Sequence, residues 1–226
     1  SDRSFRGYRL LRPILGRLLR QIDLIAAQND QYAGRFRALG AAEQSLCVTG
    51  SLKYDGAQTE RANPRTQRLA RLAGFAPGDT VFLAGSTGEP EEALALAAFS
   101  QLAAKAPRLR LVIVPRHPDR FDAVAELLES SGHPWQRRSA LDHTPATPNA
   151  RILLVDQVGE LGAWWGTAQI GFVGGSLCGR GGQNMIEPAA YGVAVSFGPN
   201  TRNFRDIVAG LLAAEGAVGV EDGQSL

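Results

Sequence analysis

The sequence predicts an α/β fold built on a doubly wound, Rossmann-like parallel sheet. From about Thr66 onward, short apolar runs alternate with amphipathic segments along the chain. The apolar runs are nearly continuous, which is typical of parallel strands that helices cover on both faces. Glycine-rich segments follow several of these runs, at the carboxyl ends where such sheets bind ligands. The 226 residues are enough for one large domain and part of another.

Residues 1–48 are predicted as a separate part that precedes this alternation. Within it, residues 4–20 have the helical period, with arginines on one side and leucine and isoleucine on the other. The predicted elements that follow are a strand at Ile22–Ala27, a helix at Asn29–Leu39 that ends at Gly40, and a short strand at Cys47–Val48. A polar connection then leads into the second part, residues 49–226.

The second part is predicted to alternate helices and strands. In chain order they are the helix Thr66–Gly74, the strand Val81–Ala84, the helix Glu89–Lys105, the strand Leu109–Val114, the helix Phe121–Ser131, the strand Ile152–Val155, the helix Glu160–Ala168, the strand Ile170–Val173, a short helix opening at Glu187–Pro188, the strand Val193–Phe197, the helix Asn203–Glu215 and the strand Ala217–Val220. The stretch Trp135–Asn149 is predicted as a loop, with an edge strand as the alternative.

Composition and charge restrict the class of protein. The content of 44% hydrophobic and 20% charged residues is that of a globular domain. Residues 1–40 carry eight arginines and three aspartates, a net +5, while residues 41–226 hold 16 basic and 19 acidic residues, a net −3. Two isolated cysteines indicate a reducing compartment, and no apolar stretch approaches the roughly 20 residues of a membrane span. Since the only methionine is Met185, we expect the chain to be an excerpt of a longer protein.

The segment that follows the strand Ile170–Val173 has the strongest functional signal. The strand ends at Gly174-Gly175-Ser176, and Gly181-Gly182, Asn184 and Glu187 come after it. This order predicts bare backbone N–H groups and a helix start beside a strand end, which suits an anionic ligand. We interpret the segment as a nucleotide or phosphate cradle with an acidic group for a sugar hydroxyl. Alternatively, the glycines are turn residues and Asn184-x-x-Glu187 is a capping box.

Polar groups also follow other predicted strands, and we expect them to converge at one edge of the sheet. They are Gly85-Ser86, Arg116-His117 and Gly159-Glu160. The guanidinium of Arg116 suits a phosphate or carboxylate, unless it forms a surface ion pair with Asp119 or Asp122. His117, extended before a proline, donates either to a phosphate oxygen or to a backbone carbonyl.

Other motifs exclude several functions. No spacing of His, Cys or carboxylates suits a metal, and no metal site is predicted. The segment GSTGE lacks the ending of a P-loop, and no Gly-x-Gly-x-x-Gly follows a strand, which argues against NTP hydrolysis and a dinucleotide. The pair Trp164-Trp165 is interpreted as packing rather than as a platform for a base.

Five segments together resemble one enzyme family. They are VTGSLKYD (48–55), LAGSTGEPEE (83–92), LVIVPRHPDRF (111–121), GELGAWWGTAQIGFVGGSL (159–177) and RGGQNMIEPAAYG (180–192). In this order they resemble the 3-deoxy-D-manno-octulosonic acid (Kdo) transferases of lipopolysaccharide biosynthesis. The resemblance implies the GT-B architecture, two Rossmann-like domains facing across a cleft. The first domain binds a lipid A precursor and supplies a glutamate base and a membrane anchor, and the second binds CMP-Kdo.

The resemblance also implies what this chain contains. Residues 1–48 would end the acceptor domain and cross to the next, and residues 49–226 would form the CMP-Kdo domain, truncated at its carboxyl end. No catalytic residue, cofactor or nucleic-acid partner is then expected within the chain. The parent protein would act at the cytoplasmic face of the bacterial inner membrane, touching the membrane through its first domain. The 226 residues by themselves would be soluble and inactive in transfer.

The donor-site residues are carried over motif by motif. Arg116 and His117 would contact the CMP phosphate or the donor carboxylate. The cytidine pocket would be lined by Val158, Gly159 and Glu160. The nucleotide would be held by Asn184, Met185, Ile186 and Glu187, with Glu187 on the ribose hydroxyls and Asn184 nearer the phosphate. Ser86, Gly174, Gly175 and Ser176 would close the phosphate side. Gln183 stands where the family usually has histidine, so a proton-donating role there is in doubt.

Two other functions remain open at this point. One is a different two-domain sugar-nucleotide enzyme, such as a UDP-sugar transferase or epimerase, which a preference for UDP over CMP would indicate. The other is a non-catalytic nucleotide-binding module, which would require that no acceptor domain with a glutamate precede it.

Overall fold

The computed structural model describes residues 2–50 and 54–226 and divides the chain into two compact units, Ser1–Ala57 and Gln58–Leu226. Residues 51–53 of the motif at 48–55 lie outside the described residues. The functional assignment of the two predicted domains stays a prediction.

The first unit contains three helices and a two-stranded parallel sheet. The helices are α1 (Asp2–Leu10), α2 (Arg12–Leu19) and α3 (Asp30–Leu39), and the strands are β1 (Ile25–Ala27) and β2 (Leu46–Val48). The single helix predicted over residues 4–20 is wrong, because the chain breaks at Leu11 and restarts with Pro13 in the first turn of α2. Helix α3 has the predicted limits: the Asn29 side chain accepts from the Tyr32 N–H at 3.0 Å, and Gly40 ends the helix with φ +104°.

The second unit is a seven-stranded parallel sheet with the order β5-β6-β4-β3-β7-β8-β9. Its strands are β3 (Thr80–Thr87), β4 (Leu109–Pro115), β5 (Trp135–Arg137), β6 (Ile152–Leu154), β7 (Ile170–Val173), β8 (Ala194–Phe197) and β9 (Ala217–Gly219). The helices are α4 (Pro64–Leu72), α5 (Glu91–Ala103), α6 (Phe121–Ser130), α7 (Leu161–Trp165), α8 (Ile186–Ala190) and α9 (Arg205–Ala213). The predicted fold class is confirmed, and the edge strand that was the alternative within 135–149 is present as β5.

The strand order places a switch point at the centre of the sheet. Starting from β3, the chain builds one side through β4 and β6, then crosses to the other side to lay down β7, β8 and β9. In open parallel sheets, ligands bind at the carboxyl ends of the strands beside such a point. The topology therefore marks the ends of β3 and β7 as the place for a site.

Two layers of side chains bury the sheet. One face packs against α5 and α6 through residues such as Phe99, Ile113 and Leu128, all fully buried. On the other face, Trp164 and Trp165 of α7 are almost fully buried, which confirms that this pair packs. A Cβ on Gly85 would collide with the ring of Trp165, so this glycine is required for close packing of α7 on the sheet.

Three element limits differ from the prediction in ways that matter for the site. Strand β3 continues to Thr87, so Gly85 and Ser86 lie inside the strand rather than in the loop after it. Helix α7 has only five residues, Leu161–Trp165, and its C-cap is Gly166. The Thr66 side chain occupies the space that a Cβ on Gly166 would need. The helix predicted to open at Glu187–Pro188 begins one residue earlier, at Ile186.

Candidate functional site

The ends of three neighbouring strands meet at the carboxyl edge of the sheet, at the predicted position. The N–H of Arg116, just after β4, donates to the carbonyl of Thr87 at 2.9 Å. On the other side of β3, the N–H of Gly174 donates to the carbonyl of Gly85 at 2.8 Å. The predicted residues Arg116 and Gly174 thus bond to β3 at the residues on either side of Ser86.

Ser86 and Gly174 are held against each other by their backbones. Ser86 is buried and has a φ of +55°, a left-handed conformation that is strained for a residue with a side chain. A Cβ on Gly174 would lie 2.6 Å from the Ser86 carbonyl oxygen, so only glycine allows this approach. Gly174 is thus accounted for by the contact between two strand ends, without a ligand.

The turn after β7 does not present bare N–H groups, and this expectation of the sequence is wrong. The carboxylate of Glu91, from the first turn of α5, is completely buried beneath it. It accepts from the N–H groups of Gly175 (2.7 Å), Ser176 (2.9 Å) and Leu177 (2.8 Å), and from that of Gly88 (3.0 Å). The turn is an anion cradle, as its glycines predicted, but an internal carboxylate fills it.

The hydroxyl of Ser176 is also engaged within the protein. This residue is fully buried, and its Oγ–H donates to the Val173 carbonyl while its oxygen accepts from the Gly198 N–H at 2.9 Å. With the N–H bonded to Glu91 and the hydroxyl bonded on both sides, the polar groups of Ser176 are satisfied internally. The prediction that they close the phosphate side of a site therefore needs correction.

Two cationic or polar groups at the edge remain open to a ligand. Arg116 is exposed, and among residues 2–50 and 54–226 its guanidinium has no hydrogen bond or ion pair. The alternative of an ion pair with Asp119 or Asp122 is wrong for the described residues, in which Arg116 pairs with neither and Asp122 binds Arg137 at 2.9 Å. His117 is exposed with the extended backbone that Pro118 imposes, φ −124° and ψ +139°, and its ring likewise has no hydrogen bond to the described residues.

The loop between β6 and α7, residues Val158–Glu160, lies where the nucleoside was predicted. Val158 is 79% exposed, and Gly159 has the left-handed φ of +87°. The Glu160 carboxylate, however, accepts two hydrogen bonds from the guanidinium of Arg138, at 2.9 and 2.8 Å, and one from the indole of Trp164 at 3.1 Å. The Glu160 carboxylate is therefore engaged with Arg138 and Trp164 within the protein.

Arg138 holds this loop and was missed by sequence reasoning. Its side chain is only 4% exposed and bonds Asp142 at 2.9 Å as well as Glu160. Burial works against the charged form, but the hydrogen bonds to Glu160 and Asp142 outweigh it and raise the pKa of Arg138. The same bond from Arg138 lowers the pKa of the Asp142 carboxyl. No sequence pattern marks Arg138, since its partner Glu160 lies 22 residues away.

Asn184 and Glu187 bond each other at the start of α8. The Asn184 amide donates to Glu187 Oε1 at 3.0 Å, and its oxygen accepts from the Ile186 N–H at 3.1 Å. The two polar side chains are thus partly used in capping, as the alternative interpretation had it. Glu187 Oε2 has no hydrogen bond within the described parts of the chain, and it lies 3.8 Å from the position of a Cβ on Gly162 in α7. Glu187 therefore lies beside the first turn of α7, with one oxygen that accepts no hydrogen bond from the described residues.

The other residues of this segment are Met185, Ile186 and Gln183. Met185 and Ile186 are buried, so their side chains are withdrawn from the surface. Gln183 lies beside Gly175, with its Cγ and Nε2 each 3.3 Å from the position of a Cβ on that glycine. This contact connects the cradle after β7 with Asn184 and Glu187.

The described residues contain no group of three or more His, Cys, Asp or Glu side chains placed to hold a metal ion. Within the same residues, no helix combines the length and apolar character required to cross a membrane.

Comparison with known proteins identifies relatives of both parts of the chain. Residues 1–56 match the family model of 3-deoxy-D-manno-octulosonic-acid transferase (kdotransferase). The chain is 36% identical over 220 residues to the 3-deoxy-D-manno-octulosonic acid transferase of Haemophilus influenzae and 36% identical over 218 residues to that of Bordetella pertussis. These alignments cover 97% and 93% of this chain but 51% and 49% of the relatives. The chain thus spans about half the length of the curated relatives it matches.

A solved structure is also similar to this chain. The C-terminal CMP-Kdo binding domain of WaaA from Acinetobacter baumannii superimposes with a TM-score of 0.65 at 31% sequence identity. The match covers 71% of this chain and 82% of that domain. Similarity in sequence and in fold therefore points to the same family.

Proposed function

This chain belongs to the family of Kdo transferases, as its motifs predicted, and on that premise we propose that its second unit binds CMP-Kdo. The longer protein would transfer Kdo from this donor to a lipid A precursor. One observation supports the site: within the described residues, the exposed guanidinium of Arg116 is unpaired and Oε2 of Glu187 accepts no hydrogen bond, and both residues follow strands at the carboxyl edge of the sheet. The first suits a phosphate and the second suits ribose hydroxyls.

The nucleotide would bind along the edge from the β6 loop to β4. Glu187 Oε2 would accept from the ribose, and the backbone of Val158–Glu160 would meet the edge of the base. Arg116, with His117 beside it, would meet the phosphate. The identity of 36% to Kdo transferases over almost the whole chain favours cytidine over the uridine nucleotides of the alternative enzymes.

The transfer reaction explains why a cation is needed at the phosphate. An acceptor hydroxyl oxygen forms a bond to the anomeric carbon of Kdo while the bond from that carbon to the phosphate oxygen breaks. The electron pair leaves with CMP, and negative charge develops on its phosphate. A guanidinium held at that position stabilises the transition state more than the ground state. The acceptor proton passes to a base, which the family resemblance assigns to a glutamate of the first domain.

The acceptor and the cellular location belong to the same proposal. A lipid A precursor is held at a membrane surface, and the first domain would present it from the cytoplasmic face of the inner membrane. The basic character of residues 1–40, net +5, suits contact with anionic lipid.

Nucleotide titration tests the proposed donor. Isothermal titration of the full chain with CMP, UMP and AMP, each with and without a chelator, should give the highest affinity for CMP in both conditions. We expect a preference of about tenfold or more, since one correctly read base edge contributes about 1–3 kcal/mol. Equal affinity for the three nucleotides, or binding that requires magnesium, would contradict the proposal.

A further inference from the structure

Arg180 reaches across the candidate site from the turn that precedes α8. Its Cζ lies 3.5 Å and its Nε 3.6 Å from the position that a Cβ on Gly88 would occupy, so the guanidinium covers the end of β3. Arg180 is exposed, and its guanidinium makes no hydrogen bond or ion pair with any residue in 2–50 and 54–226. It is a second open guanidinium at this edge, in addition to Arg116.

The backbone that carries Arg180 is held in place by several hydrogen bonds. Asn203 donates from its side chain to the Arg180 carbonyl at 3.1 Å and from its N–H to the Gly181 carbonyl at 3.0 Å. The Gly182 N–H donates to the Gly175 carbonyl at 2.8 Å, which ties the turn to the cradle after β7. The backbone at Arg180 is therefore held in place, whereas its guanidinium has no partner among the residues that the structure describes.

Nearby carboxylates do not neutralise this charge, because they are already engaged. Glu91, whose carboxylate is bonded to the Gly88 N–H, is completely buried and takes three further N–H groups. Glu89, next to Gly88, pairs with Arg120 at 3.1 Å. An unneutralised guanidinium beside a cradle that is already filled points to an external anion.

We propose that Arg180 binds the carboxylate of the Kdo sugar in the donor. This inference rests on the proposed function. CMP-Kdo carries two anionic groups, the phosphate of CMP and the carboxylate of the octulosonic acid, and the edge offers two open guanidiniums. Arg116 meets the phosphate, and Arg180 meets the carboxylate through its planar fork, which matches a carboxylate with two parallel hydrogen bonds. Arg180 would then distinguish the Kdo donor from nucleotides that lack an acidic sugar.

The test compares CMP with freshly prepared CMP-Kdo, which differ in the sugar and its carboxylate. The full chain, Arg180→Gln, Arg180→Lys, Arg116→Gln and the control Arg71→Gln are titrated with both ligands by calorimetry. Arg71 is exposed in the last turn of α4, which leads to the opposite edge of the sheet. We expect Arg180→Gln to lose about tenfold in affinity for CMP-Kdo and less than about twofold for CMP. Arg180→Lys should recover part of the loss, while Arg116→Gln should weaken both ligands.

Each remaining outcome overturns a defined part of the proposal. If the unmodified chain binds CMP and CMP-Kdo but Arg180→Gln weakens both by the same factor, or neither, the carboxylate assignment is wrong and the donor site stands. If the unmodified chain binds neither ligand, the proposed function fails and this inference fails with it. Equal melting temperatures of the two Arg180 variants and the unmodified chain establish that a loss is not due to unfolding.

Discussion

Two segments at the carboxyl edge of the sheet are anchored by side chains of opposite charge. The β7 turn, Gly174–Leu177, supplies N–H donors to a carboxylate from elsewhere, Glu91. The β6 loop, Val158–Glu160, supplies the carboxylate itself, and a guanidinium from elsewhere, Arg138, binds it. In both segments, the polar groups that the sequence predicted for a ligand instead hold the segment in place. The proposed ligand contacts therefore come from residues near these two segments.

The two anchors also differ in how their charge is balanced. The hydrogen bonds to the buried Glu91 carboxylate come from backbone N–H groups, whereas Arg138 pairs with two carboxylates, of which Asp142 is 37% exposed on its side chain. When a buried charge is bound only by neutral N–H donors, no ion pair compensates for the loss of one of those hydrogen bonds. We therefore expect the β7 turn to be the more sensitive of the two to a change in its anchor.

The largest effect should come from Glu91→Gln. The glutamine side chain replaces one carboxylate oxygen with an NH₂ group that faces the backbone N–H donors. At least one buried N–H then loses its acceptor and lies against another donor. The free energy of unfolding should fall by about 3 kcal/mol, measured by urea denaturation. Glu89→Gln is the matched control, because that side chain is 78% exposed and its surface ion pair contributes about 0–1 kcal/mol. Similar midpoints for both variants would mean that the carboxylate does not anchor the turn.

An effect on binding should separate the two ends of the proposed site. Arg116→Ala should weaken CMP by about 1.5–3 kcal/mol, roughly ten- to hundredfold, and leave cytidine unchanged, since cytidine has no phosphate. Glu187→Ala should weaken CMP and cytidine alike, because the ribose is common to both. Fluorescence or calorimetric titration of each variant measures this, with Arg71→Ala as the control for a lost surface arginine. If both variants lose cytidine equally, the assignment of phosphate and ribose to these residues is wrong.

The smallest effect concerns acid and the anchor of the β6 loop. The hydrogen bond from Arg138 lowers the pKa of Asp142, so this carboxylate stabilises the folded chain above its unfolded pKa. That contribution disappears as the pH falls through the lowered folded value, below about pH 4. Between about pH 5 and pH 3, the free energy of unfolding should therefore fall less for Asp142→Asn than for the unmodified chain. Urea denaturation at each pH measures this difference. Identical pH profiles for Asp142→Asn and the unmodified chain would contradict the assignment.

Regular structure was predictable because it depends on short-range pattern. Helix α3 lies where its cap residues Asn29 and Gly40 predicted, and the strand at Ile170–Val173 has the predicted limits. Errors arose where a local signal was overruled or missed. Pro13 divided a helix that the leucine and arginine pattern predicted as continuous, and β3 continued past its glycine because Gly85 packs under Trp165 instead of turning.

Sequence patterns were enough to predict the parallel sheet, the edge at which the polar groups gather and the family to which the chain belongs. These follow from local periodicity, from the glycines and polar residues at strand ends, and from ordered motifs. Which of those groups have partners within the protein depends on long-range packing. Glu91 meets Gly175 from 84 residues away, and Arg138 meets Glu160 from 22 residues away, so neither pairing leaves a trace in the spacing of either motif. Because a buried polar group must find a partner wherever packing brings one near, the predicted cradle is filled by Glu91. Among the described residues, the guanidiniums of Arg116 and Arg180 and Oε2 of Glu187 have no such partner.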